Sequence, residues 1–289
     1  MNIYGVAANE HDASLAVVKD RDILFASHAE RYSRKKNDPH LNEALLTEAR
    51  AYGEPDLVVW YEKPFRKRLR KLWAGQRDHV LRRDGAAYLR RFKFDAPVRY
   101  VGHHESHASA GFFTSPFDSA AILVVDAIGE WHTISAWKGR GRSLKKLWSQ
   151  SYPHSLGLLY SAFTQRIGLK PNEEEYILMG MAAYGEPIYR DLIRQDFIAR
   201  FDPPQLVLKE NVHRGIRWWR PEFQDSENIA ASIQRVTEEV LVGLTRWLAT
   251  ATGERNLVLM GGVALNCVAN TKLALEGPFE VSFRQGCVS

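Results

Sequence analysis

His103-His104-Glu105-Ser106-His107-Ala108-Ser109-Ala110-Gly111-Phe112-Phe113 is followed, after Ser115-Pro116-Phe117, by the apolar run Ala120-Ala121-Ile122-Leu123-Val124-Val125 and then Asp126. The first part reads as the start of a helix, which sets His103 and His107 four apart on one face with their imidazoles able to converge on one ion. The apolar run reads as a buried strand ending at Asp126. A carboxylate there lies where ligands of open α/β sheets bind. Two imidazoles and a carboxylate suit a divalent transition metal such as iron or zinc better than calcium or magnesium, which prefer oxygen throughout. An HxxxH spacing alone also occurs as an exposed or hydrogen-bonded pair, so the weight falls on the surrounding pattern.

Upstream, Ile3 to Ala8 reads as a buried strand, Asn9 to Ala13 as a polar turn, Ser14 to Val18 as a returning strand and Ile23 to Ser27 as a third. A helix over Leu41 to Tyr52 and strands over Asp56 to Tyr61 and Val98 to Val101 follow. Downstream the order repeats. Ala120 to Val125 is a strand, Asp126 to Glu130 a turn, and Thr133 to Trp137 and Leu144 to Ser151 two more strands. Two such meanders in one chain predict an internally duplicated α/β fold of two lobes, with boundaries at 1–117 and 118–289. Strand, polar turn, strand also opens each lobe of the actin-like ATPase architecture, where the first turn wraps a phosphate. Helices are expected over Ser155 to Ile167, Glu173 to Ala183 and Ile188 to Phe201, and a long core helix over Ser226 to Ala251. Leu257 to Met260 is a strand that Gly261-Gly262 turns into a helix near Ala264. Backbone amides and a helix start at such a turn suit a phosphate or nucleotide, although a tight strand-to-helix connection reads the same way.

Composition bounds the function. With 289 residues, 45% hydrophobic and 25% charged, the chain can bury two cores. No apolar run is long enough to span a bilayer and the N-terminus lacks a signal-peptide pattern, so no membrane partner and a cytoplasmic location are expected. Cys267 and Cys287 are too few for a disulfide framework. From Arg66 to Lys93, eleven Lys/Arg and two Asp make a local +9, against 28 basic and 32 acidic residues elsewhere. A basic, amphipathic helical insert near 64–93, with Phe65, Leu69 and Leu72 among its apolar positions, accounts for this; a bound anionic substrate would use the same charges. Nucleic acid is not the expected partner.

The residues also carry a resemblance. Gly261-Gly262-Val263-Ala264-Leu265-Asn266-Cys267-Val268-Ala269-Asn270 resembles a signature of the carbamoyltransferases that O-carbamoylate antibiotics and nodulation factors. The same family pattern appears in His11-Asp12-Ala13-Ser14, Glu30-Arg31-Tyr32-Ser33-Arg34-Lys35-Lys36, Tyr61-Glu62-Lys63-Pro64 and the histidine stretch with Ser115-Pro116-Phe117. It returns in Ser155-Leu156-Gly157-Leu158-Leu159-Tyr160 and Met179-Gly180-Met181-Ala182-Ala183-Tyr184-Gly185. The resemblance implies a duplicated actin-like (ribonuclease H-like) fold, related to that of the enzymes that put threonylcarbamoyl on tRNA. It implies transfer of a carbamoyl group from carbamoyl-adenylate to a hydroxyl of a small-molecule or sugar acceptor, the intermediate being made from carbamoyl phosphate and ATP by a separate YrdC-like domain or chain. It further implies iron, Fe2+, or another divalent transition metal on His103, His107 and Asp126, with Mg2+ as an accompanying ion. His11 and Lys36 become contacts to the carbamoyl-adenylate, and Gly261, Gly262 and Asn266 part of the nucleotide site.

Three departures stand out. Ala127 replaces a usual Gly after the strand-ending Asp, and Ile177 a frequent Lys. Val281 to Gln285 does not read as the family's further strand and aspartate turn, so the second lobe is expected to be incomplete and the YrdC-like domain absent. A carbamoyltransferase domain and a catalytically silent nucleotide- or partner-binding remnant are the two readings in competition.

Overall fold

The computed structural model describes residues 1–9, 12–73 and 85–284; of residues 67, 71–73 and 281–284 only the backbone is described. Contacts divide the chain into Met1–Ser106 and His107–Ser289.

In the first unit β1 (Asn2–Ala7), β2 (Ser14–Lys19) and β3 (Asp22–His28) form an antiparallel meander. After α1 (Glu30–Ser33) and α2 (Glu43–Arg50), β4 (Leu57–Trp60) pairs parallel with β1. After α3 (Pro64–Trp73) and α4 (Gly85–Leu89), β5 (Val98–Tyr100) pairs parallel with β4. The sheet order is β3-β2-β1-β4-β5. Alternation puts Tyr4 and Val6 of β1 and Leu15 and Val17 of β2 into the core, against Leu45 and Leu46 of α2 and Trp60. Asn42 caps α2 by accepting from Leu45 N at 2.9 Å.

The basic insert departs from its expected orientation. Phe65 and Leu69 of α3 are 73% and 45% exposed, whereas Arg70 is buried. Periodicity groups residues on one face of a helix but does not choose which face meets the core. Tyr88 and Leu89, further along the insert, do enter the core.

The second unit starts within α5 (His103–Thr114). It continues with β6 (Ser119–Gly129), β7 (His132–Arg140) and β8 (Ser143–Ser151), then α6 (Leu156–Arg166), α7 (Glu175–Met181) and α8 (Arg190–Phe197). The hairpin β9 (Ile198–Asp202) and β10 (Gln205–Leu208) precedes α9 (Ser226–Thr252), β11 (Asn256–Met260), α10 (Cys267–Glu276) and β12 (Val281–Arg284). The main sheet has the order β12-β11-β6-β7-β8, with β6-β7-β8 antiparallel and β11 and β12 parallel additions. Position for position this is the order of the first sheet, so the duplication read from the two meanders is present. Ala120 to Val125 are all buried, as befits a strand flanked by β7 and β11 with helices on its faces.

Two expectations change here. Val281–Arg284 does form the fifth strand, parallel to β11, with Asn256 opposite Val281 and Leu259 opposite Arg284. The alternation of Val281 and Phe283 is a strand pattern that four residues are too few to announce. The helix expected from Ile188 to Phe201 ends at Phe197, and Ile198 to Asp202 pairs instead with Gln205 to Leu208. Pro203-Pro204 closes that hairpin where a helix cannot continue.

Candidate metal and nucleotide site

β6 does not stop at Asp126 as its sequence suggests. Its antiparallel register with β7 runs to Val125 opposite Ile134, then breaks and resumes only at Gly129 opposite His132. Parallel pairing with β11 ends one residue earlier, at Val124 opposite Met260. Asp126 therefore sits in an irregular segment just past the parallel ladder, where such breaks re-aim side chains.

Neighbours on two sides fix this segment. Ser155, the N-cap of α6, accepts from Leu158 N at 3.0 Å and donates its hydroxyl to Ala127 O at 2.7 Å. Gly157, in the first turn of α6, lies so close that a Cβ would stand 2.8 Å from Ala127 N and 2.9 Å from Asp126 C. On the other side Gly261 adopts φ 92°, and a Cβ there would meet Val125 O at 2.4 Å. Only glycine meets both demands. The Asp126 carboxylate is aimed accordingly: Oδ1 accepts from Ala127 N at 2.8 Å and Gly262 N at 3.4 Å, while Oδ2 stands 3.6 Å from His107 Nε2. Ala127 thus contributes a backbone donor to this carboxylate.

His103 and His107 stand one turn apart on α5, and each offers a nitrogen that lies, with a carboxylate oxygen of Asp126, in a set within 4.8 Å of one another. All three are partly buried. Ligands at ~2.0–2.2 Å from one ion are separated by comparable spans, so small side-chain rotations let the set close on a divalent transition metal. Two imidazoles and one carboxylate suit a divalent transition metal such as iron or zinc.

The other predicted residues fall as follows. Gly261 and Gly262 form the turn after β11, with Gly262 exposed beside Asp126. Asn266 faces inward: it caps α10 by accepting from Ala269 N at 2.9 Å and exchanges amide hydrogen bonds with Gln234 of α9, at 2.8 and 3.1 Å. Gln234 also accepts from the Tyr160 hydroxyl at 2.9 Å and donates to Glu238 at 3.1 Å. Burial pushes the Tyr160 phenol well up, so it stays a donor. The long helix α9, read as core, therefore carries Gln234, which holds the Asn266 cap of α10. Polar Gln234 and Glu238 one turn apart between apolar positions were the available signal. Lys36 is exposed. Its loop supports the first-sheet turn, Asn9 N donating to Pro39 O at 2.8 Å and Ala13 N to Asp38 O at 2.7 Å. His11 lies outside the described residues.

Against known proteins, residues 57–284 match the family profile described as "Carbamoyltransferase N-terminus". The chain belongs to the carbamoyltransferase family. It is 38% identical to the uncharacterized protein sll1178 of Synechocystis, over 96% of this chain and 53% of that one. It is 24% identical to the 3'-hydroxymethylcephem-O-carbamoyltransferase of Amycolatopsis lactamdurans, over 96% and 55%. The chain thus spans about half the length of these curated relatives. Among solved structures, component A of the (R)-2-hydroxyglutaryl-CoA dehydratase of Acidaminococcus fermentans aligns over 98% of this chain and 91% of its own at a TM-score of 0.51 and 12% identity. That likeness concerns the fold, which is the duplicated actin-like α/β fold. No described helix of this carbamoyltransferase-family chain is long and apolar enough to cross a membrane.

Proposed function

We propose that this chain passes a carbamoyl group from carbamoyl-adenylate, made from carbamoyl phosphate and ATP by a YrdC-like domain or chain, to a hydroxyl of a small-molecule or sugar acceptor. One observation carries the reading: in a carbamoyltransferase-family chain, His103, His107 and Asp126 gather within 4.8 Å of one another. In the transfer, a bond forms from the carbamoyl carbon to the acceptor oxygen, the bond to the AMP phosphate breaks, and the acceptor proton leaves to a base. His103, His107 and Asp126 would hold a divalent transition metal, which would supply Lewis-acid polarisation of the carbamoyl carbonyl. Asp126 needs little reorganisation to serve, because Ala127 N and Gly262 N already orient its Oδ1. Gly261 and Gly262 offer main chain to the nucleotide phosphate, which Mg2+ would accompany, and Asn266 acts behind them by capping α10. His11 accepts the acceptor proton or hydrogen-bonds the carbamoyl group, and Lys36 offsets charge on the departing AMP.

The test supplies the purified chain with carbamoyl-adenylate and Fe2+ and follows AMP release, water serving as default acceptor. Metal-dependent release above the protein-free rate, lost in His107→Ala, is expected. ATP and carbamoyl phosphate without the intermediate should give no pyrophosphate. Release that ignores both the metal and His107 would remove the proposal.

A further inference from the structure

At the end of α6 away from Asp126 stands a second constructed feature. Arg166, the last residue of α6, donates Nε to Trp219 O at 2.7 Å and Nη2 to Arg220 O and Phe223 O at 2.5 and 2.9 Å. Trp219 is buried against Phe163 and Phe197, and its Nε1 donates to Asp196 Oδ2 at 2.9 Å. Arg220, held at φ 44°, places Nη2 3.4 Å from the same oxygen. On this braced loop Trp218 rests against Phe197, ring centroids 6.2 Å apart, yet remains 60% exposed. The loop and Asp196 enclose an open cavity of about 460 Å³ lined by Asp196, Trp218, Trp219, Arg220, Pro221 and Glu222.

The lining narrows the ligand. Two carboxylates disfavour an anion, and a wholly apolar guest would strip water from Asp196, Glu222 and Arg220 without replacing it. A ring with an apolar face for the indole and hydroxyls along its edge, able to donate to carboxylates and accept from a guanidinium, meets every group present. We propose that this cavity is a carbohydrate-binding subsite that takes one neutral pyranose ring. The eleven residues of α6 span about 16 Å, so the subsite is separate from the Asp126 centre and does not rest on the carbamoyl reading.

The test titrates the intact chain with methyl β-D-glucopyranoside and with N-acetylglucosamine, observed by saturation transfer to the sugar and by fluorine NMR of 5-fluorotryptophan-labelled protein. The Trp218 signal is assigned as the one missing from Trp218→Phe. Saturable binding of at least one sugar that shifts the Trp218 signal is expected, weakened about tenfold in Trp218→Ala and largely kept in Trp218→Phe. Asp196→Asn should weaken it, and His107→Ala should leave it unchanged, which separates this outcome from that of the transferase assay. Absence of saturation by either sugar, equal affinity in Trp218→Ala, or saturation by tetramethylammonium but by neither sugar would overturn the proposal.

Discussion

The two sheets have one strand order but hold their first turns by different means. In the first unit the two described ends of the connection between β1 and β2 lean on a loop: Asn9 N reaches Pro39 O, Ala13 N reaches Asp38 O, and Asn9 takes a positive φ of 73°. The loop is itself tied together, since the Ser33 hydroxyl, against burial and aided by the His40 N–H, holds the Asp38 carboxyl below its usual range. In the second unit the equivalent turn is clamped between the first turn of α6 and the Gly261 peptide, main chain against main chain. A clamped turn fixes a carboxylate to the accuracy an ion requires. The duplicated topology supplies two similar positions, and packing decides which of them is held rigidly.

The sharpest way to break this contrast is to put the same methyl into each unit. Gly261→Ala should cost about 2–4 kcal/mol and abolish tight metal binding, because φ 92° and the 2.4 Å approach to Val125 O both oppose a Cβ. Gly5→Ala in β1, where a Cβ meets nothing within 4 Å, should shift the unfolding midpoint little. Equal losses in chemical denaturation would show that the clamp is not special.

Next in size, His107→Ala or Asp126→Asn should weaken Co2+ or Fe2+ binding by ten- to a hundredfold or more in a competition titration. Lys36→Ala, in the loop-supported half, should leave the metal affinity unchanged while slowing AMP release. A matching loss in Lys36→Ala would erase the division of labour between the two turns.

A smaller effect tests how α8 is fastened in the second unit. Burial pushes the Glu239 carboxyl up, but Arg190 and Arg194 outweigh it and hold the group below its ordinary value of 4.5. Its contribution is therefore present above that value and lost as pH falls through the lowered one. Glu239→Gln should cost about 1–2 kcal/mol at pH 7, and the gap to the parent chain should close as the pH falls below 4.5.

The smallest effect concerns the β9–β10 hairpin, which hangs on Gln150 Oε1 and His154 Nδ1 through Leu206 N and Leu208 N. Burial lowers the His154 pKa from 6.5, so the neutral ring is the native form. A depressed histidine pKa makes its stabilisation complete above about 6.5 and lost as pH falls below it. Protection of the Leu208 amide, corrected for intrinsic exchange, should drop between pH 7.5 and 5.5 and become insensitive to pH in His154→Asn.

Much of this was legible in the residues because the signals were local. The apolar run Ala120 to Val125 announces a central strand, and His103 and His107 at helical spacing announce a shared face. The motif blocks announce the family. What was hidden depends on packing between distant segments: the register break that turns Asp126, the Gln234 amide that holds Asn266, and the outward Phe65 and Leu69. The strand at Val281–Arg284 was hidden because its evidence is the waiting edge of β11, which no property of four residues displays.

The contact of Gly157 with the peptide joining Asp126 to Ala127 has a consequence for how the chain tolerates sequence drift. Because no side chain intervenes there, exchanging one apolar core residue for another can change the stability of the second unit without displacing the carboxylate. Sensitivity is concentrated instead at two positions, 157 and 261, where any added carbon meets backbone. A lineage of such chains could replace most of its interior while preserving the geometry of this centre, so long as Ser155 and those two glycines survive.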